Sequence, residues 1–144
     1  MMHTVAAAFI GTVAFALLFG VPRRYYFGCG FIGAAGWLAY LVLEAAGLTA
    51  TEATFFAALL VALLSRFAAV WQKCPSTVFL IAGIFPLVPG AGIYWTSYHL
   101  VMGELASALS TGFAAAKTAV AIVLGIILVF EIPGRFFHPR IRQM

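Results

Sequence analysis

Two prolines and two glycines fall within the seven residues Pro86-Leu87-Val88-Pro89-Gly90-Ala91-Gly92, in the middle of an apolar run covering residues 78–101. Such a run cannot remain one continuous helix. Each proline removes a backbone donor and sets its ring against the carbonyl of the preceding turn. In a membrane, lipid supplies no water to the freed groups, so irregular backbone there must be buried in protein or line a polar cavity. A hydrophobic segment interrupted by glycine and proline is the best pointer in a sequence to a transporter's binding site.

Composition places this run in a membrane. The chain is 65% hydrophobic and 8% charged, with a mean hydropathy of +1.10, whereas soluble domains are about half apolar and about a quarter charged. Apolar stretches cover residues 4–20, 27–47, 51–71, 76–101 and 105–132, against the ~20 residues that cross a ~30 Å hydrocarbon core. The first is short, and the fourth is long and broken at residues 86–90. Connectors at residues 21–26, 48–50 and 72–75 are brief. The expected fold is an all-α polytopic membrane helix bundle of about five spans, with residues 1–144 forming a single transmembrane domain and no soluble domain.

Lys and Arg set the expected orientation. Arg23 and Arg24 follow the first stretch, Arg66 and Lys73 close the third, and Arg135, Arg140 and Arg142 follow the fifth, while the opposite ends carry none. By the positive-inside rule the N-terminus lies outside and the C-terminus in the cytoplasm of an inner (plasma) membrane. Residues 1–20 are not a secretory signal, because the positive pair follows the apolar segment instead of preceding it. Arg66 is expected to snorkel to the cytoplasmic headgroups. The aromatics Tyr25, Tyr26, Phe27, Trp71, Tyr94, Trp95 and Tyr98 suit interfacial belts. Small residues recur every fourth position at Ala8, Thr12, Ala16 and Gly20, at Gly30 and Ala34, and at Ala108, Gly112 and Ala116. That spacing lets helix backbones approach closely and hints at a partner subunit in an oligomer.

Several functions are disfavoured. The chain contains no Asp, which removes most paired-carboxylate catalysis and most Mg or Ca sites. His-Glu-x-x-His, Gly-x-Ser-x-Gly and phosphate-loop motifs are missing, and His3, His99 and His138 are scattered, so no enzyme activity is expected. Cys29 and Cys74 read as reduced free thiols, because a zinc site needs about four clustered ligands. Neither a cofactor nor a metal is expected. Basic patches interleaved with aromatics are also missing, so nucleic acid is not an expected partner. The lipid bilayer and a small-molecule substrate are.

The residues that carry a transport reading centre on the break. Span four divides into half-helices at about residues 76–85 and 91–101, joined near mid-membrane by residues 86–90. The second half-helix begins at Gly90-Ala91-Gly92, whose free amides and helix dipole suit a carboxylate. Glycine permits close approach to the backbone. The carbonyls that Pro86 and Pro89 leave unpaired suit a substrate ammonium or a coupling cation. Lys117, about 12 residues into span five, is a mid-depth charge costing ~2.5–3.5 kcal/mol on insertion scales and is a functional residue by default. The competing reading starts span five near Thr118 and lets Lys117 snorkel outward, but residues 118–132 are short for a span. Glu44, about one turn from the outer end of span two, is a candidate proton-coupling group. Glu52, Glu104 and Glu131 suit helix-end solvation. Thr96, Ser97 and Tyr98 offer hydroxyls either to a substrate or back to their own helix.

The run Pro86-Leu87-Val88-Pro89-Gly90 followed by Tyr94 resembles the threonine/serine exporter family. Phe19-Gly20-Val21-Pro22-Arg23, Lys73-Cys74-Pro75 and Ile132-Pro133-Gly134 match in order, so the resemblance covers essentially the whole length. It is closest to the small membrane subunit, which corresponds to the C-terminal membrane half of the fused exporters and to the small subunit of the two-component succinate exporter. The resemblance implies a subunit of an inner-membrane exporter of threonine and serine, or of a dicarboxylate such as succinate. It also implies a larger partner subunit carrying a cytoplasmic domain, and it adds Tyr94 to a substrate site of Pro86, Pro89, Gly90, Ala91, Gly92 and Lys117. A non-catalytic scaffold subunit and a stand-alone homo-oligomeric carrier are the alternatives.

Overall fold

The structure, a computed structural model, describes residues 2–133. Its helices are α1 (Met2–Leu18), α2 (Tyr26–Ala45), α3 (Ala50–Gln72), α4 (Thr77–Ile84), α5 (Gly90–Val101) and α6 (Leu105–Glu131), with tighter turns at Arg23–Tyr25 and Phe85–Leu87. The all-α membrane bundle expected from the sequence is what forms. Arg23–Ala45, Ala50–Gln72 and Leu105–Glu131 are each long and apolar enough to cross a bilayer. Thr77–Leu87 and Gly90–Val101 make a further, broken span bent by 53°. The apolar α1 has 17 residues, at the lower limit of the ~17–25 that span a membrane.

Local chemistry explains where the helices stop. The connectors after α2 and α5 turn at Gly47 (φ 97°) and Gly103 (φ 76°), a backbone conformation that costs glycine nothing. Beyond Gly47, Thr49 caps α3: its backbone N–H donates to the Glu52 carboxylate at 2.9 Å while its hydroxyl accepts from the Glu52 amide at 3.4 Å. This capping box satisfies two otherwise orphaned donors. After Gly103, the His99 ring nitrogen Nδ1 lies 2.7 Å from the Glu104 carboxylate and ties α5 to α6.

Small residues then decide the packing. α3 is the centre of the bundle and packs against α2, α4 and α6. Its buried stripe is Ala53, Ala57, Val61, Ser65 and Ala69, four residues apart each time. The α1 face anticipated from sequence is present, with Thr12 and Ala16 fully buried. Opposite it, a side chain at Gly33 would collide with Thr12, and one at Gly30 would sit 2.7 Å from the Phe9 ring. Gly36 lies likewise against Val61. Where α6 crosses α3, the position of a Gly125 Cβ is 2.8 Å from the Phe55 carbonyl oxygen. Of these glycines only Gly30 was singled out by the every-fourth-residue pattern. On the other side of α6, Ala108 is buried and Gly112 faces Thr96 of α5.

Arg66 corrects an expectation. Its guanidinium does not reach outward from the bundle but crosses to the end of α6, donating to the carbonyl of Val129 and, at 2.9 Å, to that of Ile132. The last carbonyls of a helix lack intrahelical partners and carry negative partial charge, so a nearby cation gains more there than at the surface. Arg135, Arg140, Arg142 and Gly134 lie outside the described residues. Cys29 and Cys74 are free thiols, and the Cys29 Sγ lies 3.6 Å from the Val78 carbonyl.

Because the α3–α6 contact is backbone on backbone, Gly125→Val should destabilise the protein by about 1–3 kcal/mol, the usual cost of overpacking. Unfolding in detergent, followed by circular dichroism, measures this. A side chain at Gly90 would meet nothing within 4 Å, so Gly90→Val should shift the same transition by less than about 0.5 kcal/mol.

Candidate functional site

The break is built by local rules. Without an N–H on Pro86, α4 tightens at its end: the Phe85 amide bonds to Ala82, and the Val88 amide to Phe85 at 3.1 Å. The Ala82 and Phe85 carbonyls, which Pro86 and Pro89 would leave free in an α-helix, are therefore already engaged. This corrects the expectation of unpaired carbonyls awaiting a cation there. Pro89 (φ −75°, ψ 57°) forms a three-residue turn in which the Gly90 amide donates to the Val88 carbonyl at 2.7 Å. The first helical bond of α5 runs from Ile93 to Pro89 at 3.1 Å. Of the three amides expected to be free at the start of α5, Gly90's is committed, and Ala91 and Gly92 carry the two ahead of the helical ladder.

Gly90 and Ala91 are exposed, while Gly92 is half-buried, with its Cβ position 3.0 Å from Ala115 of α6. Pro86 lines two cavities. One, of about 190 Å³, is lined by Trp37, Tyr40, Ala50, Thr54, Leu87, Val88 and Thr118. The other, an open and largely apolar groove of about 300 Å³, is shared with Thr4, Ala7, Ala8 and Trp37. Trp37 stacks on Tyr40 with ring centroids 5.1 Å apart. The Tyr40 hydroxyl donates to Glu44 at 3.2 Å, so Glu44 stands one hydrogen bond behind the smaller cavity.

Of the candidate substrate residues only Pro86 lines these cavities; Pro89, Gly90, Ala91 and Gly92 lie beyond them along the chain, and Tyr94 and Lys117 face elsewhere. Tyr94 is 61% exposed, with its ring edge-to-face on Trp95. Lys117 sits on another face of α6, about 200° around the helix from Ala115. Its Nζ lies 5.5 Å from the Phe113 ring centroid, in an apolar cavity of about 660 Å³ shared with Glu52, Phe55, Phe56 and Val120. α6 begins at Leu105, well before Lys117, so the helix does not start near Thr118. The hydroxyls of Thr96 and Ser97 donate back to the Gly92 and Ile93 carbonyls at 2.7 and 3.0 Å, which is the local alternative anticipated for them. Sequence reasoning missed Trp37, Tyr40, Thr54 and Thr118. Only Tyr40 carried a signal, its i, i+4 spacing to Glu44. Among the described residues no group of His, Cys, Asp or Glu is placed to hold a metal.

A multi-pass helical bundle with one span broken beside a partly polar cavity defines a membrane protein of transporter type. The family model described as "Threonine/Serine exporter, ThrE" matches residues 4–132, and the chain belongs to the threonine/serine exporter family. No solved structure matches it.

The two glycines of the break should separate in mutagenesis. Gly92→Val must push α5 off Ala115 and should lower stability by about 1–3 kcal/mol. Gly90→Val has room in the chain, so any loss of transport at wild-type stability would come from the ligand side. Parallel unfolding and flux measurements on the two variants test this.

Proposed function

We propose that this chain is the membrane subunit of a secondary exporter of small polar carboxylate metabolites, threonine and serine or a dicarboxylate such as succinate, and that it acts with a larger subunit of the same family. The observation that carries the reading is the break at residues 85–90, which sets Pro86 against a partly polar cavity bordered by Tyr40, Thr54 and Thr118. A scaffold needs no broken backbone. α1 counts as the fifth span in this reading, with the N-terminus outside and the C-terminus in the cytoplasm of the inner membrane. Pro86, Pro89, Gly90, Ala91 and Gly92 form the substrate-facing segment, with Tyr94 on the same half-helix, and Glu44 is the proton-coupling group reached through Tyr40.

Need of a partner is supported by α5, which packs on α6 and has no buried residue. Its Ile93, Tyr94 and Trp95 are exposed. Lys117 supports it too. A charge on the outer face of α6 at mid-depth is costly against lipid, and a carboxylate from the partner or the substrate would remove that cost.

With labelled threonine, serine and succinate tested in turn, either the two amino acids or the dicarboxylate should be exported from proteoliposomes holding this chain with its larger companion, and none from those holding this chain alone. Export by this chain alone would make it a homo-oligomeric carrier. Absence of export with the complex assembled would favour the scaffold reading. Lys117→Met should leave assembly intact and reduce flux at least about tenfold, and Lys117→Arg should retain much of it; unchanged flux in Lys117→Met refutes the role.

A further inference from the structure

Lys117 is the one charged residue between Leu105 and Phe130. It stands 12 residues from Leu105 and 14 from Glu131, about 18 and 21 Å of helix from the two ends of α6. Beyond its approach to the Phe113 ring, its ammonium forms no hydrogen bond or ion pair with any described residue. The apolar groove that it lines runs between α3 and α6 and is walled by Phe55, Phe56, Phe113, Val120 and Leu124. Glu52 borders the same groove, but its Oε2 is held by the Thr49 N–H and O–H at 2.9 and 2.8 Å.

Three possible occupants fit this groove poorly. An anionic lipid would have to bring its head group about 15 Å into the hydrocarbon, half of a ~30 Å core. A small polar solute would set most of its own polar groups against phenylalanine, alanine, valine and leucine, which is costly for groups left unpaired. A second copy of this chain carries side-chain carboxylates at Glu44, Glu52, Glu104 and Glu131 only, each within two residues of a helix end. The face itself suits a foreign helix. At about 100° per residue, Ala106, Ser110 and Ala114 fall on the side of α6 that carries Lys117, and all three are exposed. Small residues let a second backbone come close. Farther along the same side, the exposed Leu124 and Leu128 offer larger apolar contacts.

We propose that the α3–α6 groove seats one transmembrane helix of the larger companion, and that an Asp or Glu on that helix pairs with the Lys117 ammonium at mid-depth. The inference rests on the exporter reading of this chain and names the surface by which its two subunits join. Phe56, Phe113, Val120 and Leu124 pack against the incoming helix and supply its seat. The ion pair sets the register. Its attraction is largely offset by the desolvation of both charges, whereas a slipped helix leaves a charge facing lipid. In Lys117→Met the companion's carboxyl takes up a proton instead of staying charged, so the apolar seat still assembles while the register loosens. In Lys117→Glu two carboxylates meet, and like charges in contact oppose assembly.

The test is a charge swap in the two-chain complex. Lys117→Glu should lower the amount of companion that co-purifies with this chain at least about tenfold, and flux with it. Changing each membrane-embedded Asp and Glu of the companion to Lys in turn should give one substitution that restores both. A second measurement keeps Lys117 intact. In a background with Cys29→Ala and Cys74→Ala, Val120→Cys places a thiol on an exposed wall of the groove. A short bismaleimide should join it to cysteines along one face of one companion helix. Unchanged co-purification in Lys117→Glu, rescue by none of the reversals, or cross-links only to a second copy of this chain or to nothing each overturn the inference. Lost flux with the companion still bound at wild-type levels also overturns it and returns Lys117 to the solute. The exporter reading is judged separately by wild-type flux: export with no cross-link in the groove sinks this inference alone.

Discussion

A bilayer offers the peptide backbone no hydrogen-bond partner, and the whole arrangement around Pro86 depends on how the chain meets that constraint. It does so largely from its own backbone. The last turn of α4 tightens so that Phe85 and Val88 reach carbonyls three residues back, and the Gly90 amide folds onto Val88. The break is thereby almost self-contained, and the bend of 53° follows from it. What the backbone cannot settle internally is the pair of amides at Ala91 and Gly92. At membrane depth, an exposed Gly90-Ala91 needs a wall of protein or water beside it, and this is the physical reason to seek both a substrate path and a second chain there.

The rest of the molecule divides into a tight frame and a loose arm. Around α3, alanine and glycine bring helices into contact at backbone distance, with Gly33 against Thr12, Gly36 against Val61 and Gly125 against the Phe55 carbonyl. Close approach of this kind replaces the hydrophobic driving force that lipid denies to helix association. Arg66 locks the far end of α6 onto α3. By contrast α5 has no fully buried residue and is held by α6, through the Thr96–Thr111 hydroxyl contact at 3.1 Å and the His99–Glu104 pair. A close-packed frame with one half-helix held on a single side, starting just past the partly polar cavity that Val88 borders, is an arrangement suited to alternating access.

The large-scale features were legible in the sequence because they rest on length, proline and glycine. α3 and α6 fall within a residue of the expected spans, and the break falls between Ile84 and Gly90 as proline chemistry requires. Interhelical partnerships were not legible. Arg66 near a helix end looks like a snorkelling residue until the end of α6 is seen beside it. Gly36 falls outside any four-residue repeat of small residues, and the Ala121–Gly125 spacing does not by itself say that α3 is the helix it meets. Trp37 lies in an apolar stretch where a tryptophan reads as packing, and only the fold shows it beside the break. Proline and glycine chemistry pointed to the break, and the residues that surround it came from tertiary contact alone.

The central claim, that the break faces water and substrate within the membrane, is tested most directly by thiol accessibility at Gly90. In a background with Cys29→Ala and Cys74→Ala, and with the companion equally freed of thiols, Gly90→Cys adds a thiol where the chain leaves room for one. In the assembled exporter, this account predicts reaction with a membrane-impermeant maleimide, slowed by transported solute and unaffected by a solute that is not transported. A thiol that never reacts, or that reacts at the same rate whatever solute is present, would contradict it.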